Sequence, residues 1–229
     1  MSEFLESCFG NGMLATYGEA ILSTVKITAI STIISYIFGI PLGVILYGTS
    51  KNGIFPNSAV NKVVGFIVNI IRSVPFIILL VMTQPLAKLI MGKSLGDNAF
   101  IFYLVIAAAP YVARMIESSL NEVDRGVIEA AQSMGSDNMQ IITKVLLSEA
   151  KPSLLIGCAI STTTILGYTP MAYLIAGGGL GTLAIQDGLY RHQTEYMYIS
   201  SLLLIILVQI TQEGLSFLAK KSDKRIRGK

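Results

Sequence analysis

Glu129-Ala130-Ala131-Gln132-Ser133-Met134-Gly135 is a polar, acid-led segment wedged between two long apolar runs. Its glutamate and alanines are good helix formers. A glycine at its end can take the left-handed geometry that stops a helix. Upstream, Asn121 or Asp124 can cap the segment. Downstream, Ser136-Asp137-Asn138 is a set of turn and cap residues. A second amphipathic stretch then runs from about Met139 to Leu147, with Ile141, Ile142, Val145 and Leu146 on one side. The spacing predicts a short helix, a glycine turn and a second helix within a loop of about residues 121–150. By spacing alone, an ordinary interfacial loop reads equally well.

The runs on either side set the fold class. Of the 229 residues, 52% are hydrophobic and 14% charged, and the mean hydropathy is +0.64. Soluble domains carry about 25% charged residues. Several runs exceed the roughly 20 residues a helix needs to cross a bilayer, and in lipid every backbone polar group must be satisfied internally. The pattern is block-wise rather than alternating, which argues against a transmembrane barrel. The expectation is an all-α polytopic membrane protein with five spans, about Ala20 to Tyr47, Val63 to Met91, Ala99 to Ser118, Pro152 to Ile175 and Met197 to Ala219. The chain then reads as one transmembrane domain over 1–229, with a bundle over about 20–219 and a basic tail over 220–229.

That tail holds Lys220, Lys221, Lys224, Arg225, Arg227 and Lys229 against Asp223. Directly after an apolar run it reads as a positive-inside anchor rather than a nucleic-acid arm. Five spans place the termini on opposite sides, so the N-terminus is expected outside. Lys51, Lys62 and residues 119–151 are expected on the cytoplasmic side. From Glu117 to Lys151 there are three basic residues (Arg125, Lys144, Lys151) and six acids (Glu117, Glu122, Asp124, Glu129, Asp137, Glu149), which suits a loop shaped for a protein partner. Residues 1–18 contain Glu3 and Glu6 and no basic residue, the wrong start for a cleavable signal. Cys8 and Cys158 suggest neither a metal site nor a disulfide framework, and no cofactor is expected.

Within the spans, Ser31, Ser35, Gly39 and Gly43 recur at every fourth position. Such spacing lets helix backbones approach closely, either inside one bundle or across a dimer seam. Pro41 and Pro85 are expected to kink their helices. Arg72, in Arg72-Ser73-Val74-Pro75, either lines a path, pairs with an acid, or snorkels to the interface with residues 63–71 lying partly there. The fourth span carries Ser161, Thr162, Thr163 and Thr164. Membrane hydroxyls often bond their own i−4 carbonyls, but four in a row cover every side of a helix. Thr163, Gly167 and Met171 repeat at four-residue spacing and form one stripe, read as approaching a translocation path.

Residues 129–150 resemble the "EAA" loop of bacterial ABC import permeases, with Glu129, Ala130, Ala131 and Gly135 matching the signature. Arg114, Glu117, Ser118, Leu120, Val123, Gly126 and Ile128 also look like that family. One departure is Leu147-Ser148 where the family often has Leu-Pro; Pro152 comes slightly later, so the bend is shifted. Further segments are similar to the methionine-uptake permeases: residues 72–80, Gly167-Tyr168 with Met171-Ala172, residues 177–181 with Leu183-Ala184-Ile185, Arg191-His192-Gln193-Thr194, and Leu207-Val208-Gln209-Ile210. The resemblance implies the type I importer permease fold and a homodimer of five-helix subunits in the bacterial cytoplasmic membrane. It also implies two ATP-binding subunits and an extracytoplasmic substrate-binding protein. Glu129, Ala130, Ala131 and Gly135 would couple the permease to the ATPase, which alone would hydrolyse ATP.

The alternatives are weaker. Gly177–Gly181 is followed by Thr182 with no lysine, unlike a phosphate loop, and reads as a flexible or re-entrant turn near an outer gate. His192 has no adjacent nucleophile or metal-ligand spacing and reads as a surface contact, which argues against a membrane-embedded enzyme. A stand-alone secondary transporter would place ionisable groups at the midplane between repeated halves, and neither feature is evident. A permease for another amino acid stays open.

Overall fold

The computed structural model describes residues 13–222. The N-terminal Cys8, Glu3 and Glu6 and most of the basic tail, from Asp223 on, lie outside the described residues. Every regular element is helical: α1 (Met13–Gly48), α2 (Ser58–Ser73), α3 (Phe76–Met91), α4 (Asp97–Asn121), α5 (Arg125–Ser133), α6 (Lys151–Tyr168) and α7 (Thr194–Ser222), with shorter turns between them. Four spans, Met13–Gly48, Asp97–Asn121, Lys151–Ile175 and Thr194–Ser222, are long and apolar enough to cross a membrane, and the α2–α3 pair raises the number to five if it is one broken span.

The second expected span is not continuous. Between Ser73 and Phe76 the chain turns by 111°. Pro75 bars helical geometry at the residue before it, and Val74 is extended at φ −84°, ψ 125°. The sharp bend of this span lies ten residues before Pro85, which α3 carries inside its helix. α1 likewise runs without a break through Pro41. The fourth span also changes form. Its α-helix ends at Tyr168, and Thr169–Ile175 winds as a tighter 3₁₀ helix with Pro170 near its start.

The chain packs as two compact units. Among the described residues, one comprises 13–33, 75–106 and 162–211; the other comprises 34–74, 107–161 and 212–222. In the first, Tyr17 and Ala20 of α1 form a buried cluster with Leu180 and Leu183, covered by Ile199, Leu203 and Leu207 of α7. Phe76 stacks on Tyr168 at 4.7 Å and meets Phe100 edge-on.

In the second unit, the small residues of α1 do the work expected of close packing inside the bundle. A Cβ on Gly39 would lie 2.5 Å from Val112 Cγ1, and one on Gly43 would lie 2.7 Å from Ile116 Cβ and the Ala113 carbonyl. α4 thus rides directly on the α1 backbone. Arg114 of α4 ties α2 in place: it donates to Glu117 at 2.7 Å, to Asn69 Oδ1 at 2.9 Å and to the Gly65 carbonyl at 3.3 Å.

Candidate functional site

The loop after α4 is built by short-range chemistry. Asp124 Oδ1 accepts from the Gly126 N–H at 2.6 Å and caps α5, an interaction of about 1 kcal/mol in typical helices. α5 then ends on Gly135, which sits at φ +80°. The Gly135 N–H donates to the Gln132 carbonyl and the Ser136 N–H to the Ala131 carbonyl, at 2.9 and 3.1 Å. This paired closure is the Schellman arrangement, which favours glycine at the left-handed position. Asp137 and Gln140 form a reciprocal capping box that starts the next helical stretch.

That stretch holds the loop down. Its middle turn, Ile141–Leu146, is wound with the wider π repeat. Ile141, Ile142 and Leu146 are buried together with Ile128 and Ala131 of α5, Val112, Ile116 and Leu120 of α4, and Tyr47 of α1. Val145 packs against the same cluster. On the rim, Ile54 and Phe55 of the α1–α2 connection also join it, and the Arg125 guanidinium reaches the Asn52 carbonyl at 3.5 Å. α5 is therefore clamped along one side. The break after this stretch falls at Ala150, with Pro152 in the first turn of α6, where the shifted bend was expected.

The four residues singled out from the sequence divide by role. Glu129 and Ala130 face outward, whereas Ala131 is 3% exposed and belongs to the core. Gly135 makes the turn, and a Cβ there would meet nothing within 4 Å. Two outward residues were missed: Val127 at 41% and Met134 at 80% exposure. With Ala130 they fall at i, i+3 and i+7, one stripe of the helix. The signal for them was available, since an apolar residue opposite a buried Ile128–Ala131 pair has no partner within its own helix.

The stripe on the fourth span is only partly assembled. Thr163 is half-buried, and among the described residues its Oγ1 has no hydrogen-bond partner. Gly167 lines an apolar groove of about 290 Å³ with Leu166, Pro170, Leu204, Val208 and Gln209. Met171 is half-buried and lies beyond the end of α6, where the 3₁₀ winding no longer keeps the four-residue register. Of the neighbouring hydroxyls, Ser161 donates to its own Gly157 carbonyl at 2.6 Å and shares a 2.9 Å bond with Tyr36.

The glycine run is a pinned turn rather than a flexible one. The Gly178 N–H donates to Asp97 Oδ1 at 2.7 Å, and Ser23 donates to the other carboxylate oxygen at 3.1 Å. The Leu180 N–H donates to Thr24 Oγ1 at 2.9 Å, and Thr182 donates to the Gly177 carbonyl at 2.8 Å. Gly179 is left-handed at φ +107°, and a Cβ on Gly181 would overlap the Pro170 backbone. Asp97 was not singled out beforehand, though it is an acid in the first turn of an apolar run. Arg72 sits 5.9 Å over the Tyr111 ring, and among the described residues no acid pairs with it. His192 is exposed at φ +58°. Among the described residues no cluster of His, Cys, Asp and Glu could hold a metal ion.

The profile of one protein family, the binding-protein-dependent transport system inner membrane component, matches residues 39–228. The probable D-methionine transport system permease protein MetI of Vibrio cholerae is 46% identical over 202 residues, 88% of this chain and 90% of that protein. The methionine import system permease protein MetP of Bacillus subtilis is 40% identical over 181 residues, 79% of this chain and 82% of that protein. A chain in the inward-facing structure of the MetNI methionine ABC transporter superposes with a TM-score of 0.91 at 36% identity, covering 94% of this chain and all of that one.

Proposed function

Because the chain belongs to the binding-protein-dependent transport system inner-membrane components, we propose that it is the permease subunit of an ATP-driven methionine importer in the cytoplasmic membrane. Its partners are a second copy of itself, two ATP-binding subunits and an external substrate-binding protein. ATP hydrolysis resides in the ATP-binding subunits, and this chain supplies the path and the mechanical link. Its relatives in Vibrio cholerae and Bacillus subtilis are named for methionine transport, which supports the substrate.

The observation that carries the link is the two-sided character of α5. Its outer side is left bare at Val127, Glu129, Ala130 and Met134, while Ile128 and Ala131 are locked into the core with Ile116, Leu120, Ile141 and Leu146. In this reading the bare side seats in the ATP-binding subunit. Close-packed interiors transmit displacement rather than absorb it, so closure of the ATPases moves α4 and the head of α6 with α5. α6 continues through Thr163 and Gly167, which face the path, and Met171 follows on the 3₁₀ turn beyond them. The two subunits associate about a two-fold axis and rock between inward-open and outward-open states.

The orientation follows from charge. Lys220 and Lys221 close α7, and Lys51, Lys62 and α5 share their side if the membrane is crossed five times. That side is the cytoplasm, and residues 176–195 face outward to receive the binding protein.

The test is uptake of labelled methionine, both enantiomers separately, into proteoliposomes holding this chain and its ATP-binding subunit, with binding protein outside and ATP inside. Uptake that needs both additions and is competed by unlabelled methionine is expected. Binding-protein-stimulated ATP hydrolysis without methionine uptake would discard the substrate. Uptake indifferent to ATP in an assembled complex would discard the coupling.

A further inference from the structure

We propose that α2 is an interfacial helix: it lies in the plane of the membrane surface, with an apolar face in the acyl–headgroup boundary and Lys62 and Arg72 holding anionic phospholipid. Three observations carry this.

The first is length and polarity. At 1.5 Å per residue its 16 residues span about 24 Å, short of the roughly 30 Å hydrocarbon core; α3 has the same length, so polarity separates the two. Asn61, Lys62, Asn69 and Arg72 are distributed along α2. A helix that crossed would carry these through lipid.

The second is a division into three faces. Gly65 and Val68 are buried, with Asn61 bonded to the Leu46 carbonyl at 2.7 Å and Asn69 held by Arg114. This side is anchored to protein. Val60, Val63, Phe66, Ile67 and Ile70 are exposed, from 39% to 65%, and fall on a continuous arc at helical spacing. Lys62 and Ser73 are exposed on the arc between, and Ser58 is exposed at the helix start. A helix with separate protein, apolar and polar faces fits a boundary between oil and water; a wholly lipid-immersed helix has no use for the last.

The third is charge. Residues 49–75 contain Lys51, Lys62 and Arg72 and no acid. Tyr111 supports the Arg72 guanidinium from one side while the residue stays exposed. The unneutralised cations on a membrane-facing rim match phosphate headgroups of an anionic leaflet. The inference goes beyond the importer assignment and needs only that the chain sits in a membrane, so loss of methionine uptake would leave it standing.

The test uses the assembled complex in phosphatidylethanolamine–phosphatidylglycerol vesicles, with Cys8 and Cys158 replaced. Nitroxide labels are placed singly at Val60, Val63, Ile67 and Ile70, and at Ser58, Lys62 and Ser73. The first set should be open to oxygen, shielded from a water-soluble nickel chelate, and all at one depth. The second set should be open to the chelate. A depth that climbs along the first set, by about 15 Å from Val60 to Ile70 for a crossing helix, would overturn the proposal. So would shielding from both reagents, which would mean that a protein surface covers the face. In nanodiscs of mixed phosphatidylglycerol and phosphatidylcholine, the wild-type complex should enrich headgroup-labelled phosphatidylglycerol. Lys62→Gln and Arg72→Gln should each weaken that enrichment by about fivefold, the ratio equivalent to ~1 kcal/mol per basic group at an anionic surface. Unchanged enrichment in the double variant, with the complex intact by size exclusion, would overturn the headgroup role.

Discussion

The Ser136 N–H donates to the Ala131 carbonyl at 3.1 Å, closing α5 over a glycine at φ +80°. One residue of that pair borders the turn and the other is sealed in the core, so the end of α5 is fixed from both sides. A side chain at Gly135 projects into open space. Gly135→Ala should therefore cost only the left-handed strain of about 1 kcal/mol and leave uptake largely intact. Gly135→Arg should insert and assemble in the membrane yet lose transport, because its bulk stands where the ATP-binding subunit seats. Normal uptake by the arginine variant at normal expression would sink the seating.

Ala130 and Ala131 are adjacent and should fail differently. Ala131 is buried among Ile128, Ile141 and Leu146, so Ala131→Leu overpacks the core and should lower stability by about 1–3 kcal/mol. Ala130→Leu should leave the melting temperature of the purified chain unchanged and weaken co-purification of the ATP-binding subunit. Equal melting shifts for the two would show that α5 is not clamped on one side.

Asp97 organises the glycine turn through both carboxylate oxygens. Asp97→Ala leaves the Gly178 N–H without its charged acceptor and should destabilise by about 1.5–3 kcal/mol. Ser23→Ala removes only the weaker arm and should cost about 1 kcal/mol. Thermal unfolding in detergent ranks them, and a larger loss for Ser23→Ala would contradict the assignment.

Two glycines on different helices separate packing from passage. Gly43→Val collides with Ile116 and the Ala113 carbonyl and should fail to accumulate in the membrane. Gly167 has open space beside it, so Gly167→Phe should accumulate normally and reduce uptake severalfold. Full uptake by Gly167→Phe would remove this residue from the path.

Much of this was legible in the sequence because it is local. Asp124, Gly135 and Asp137 announce their caps and turn by residue type, and the Ser31–Gly43 spacing announces a close-packed seam. The apolar blocks gave the helices directly. The errors came where a backbone rule acts through a neighbour. Pro85 was the bend expected in the second span, and the sharp turn comes instead where Pro75 excludes Val74 from the helix. Met171 looked in register with Thr163 and Gly167 only while the helix was taken as α throughout. The outward set was incomplete because the EAA resemblance does not say which side of the helix is bare; that depends on Ile141, Ile142 and Leu146 folding back beneath it. Asp97 was invisible for the same reason, as its partners lie 74 and 81 residues away in sequence.

The most direct measurement is photo-crosslinking in the assembled transporter, with benzoylphenylalanine in place of Met134 in one variant and of Ile142 in another. Met134 is 80% exposed and Ile142 is 9% exposed. An adduct with the ATP-binding subunit is expected from Met134 and none from Ile142, in a complex that still hydrolyses ATP. No adduct from Met134, or equal yields from both positions, would contradict the seating of α5 in the ATP-binding subunit.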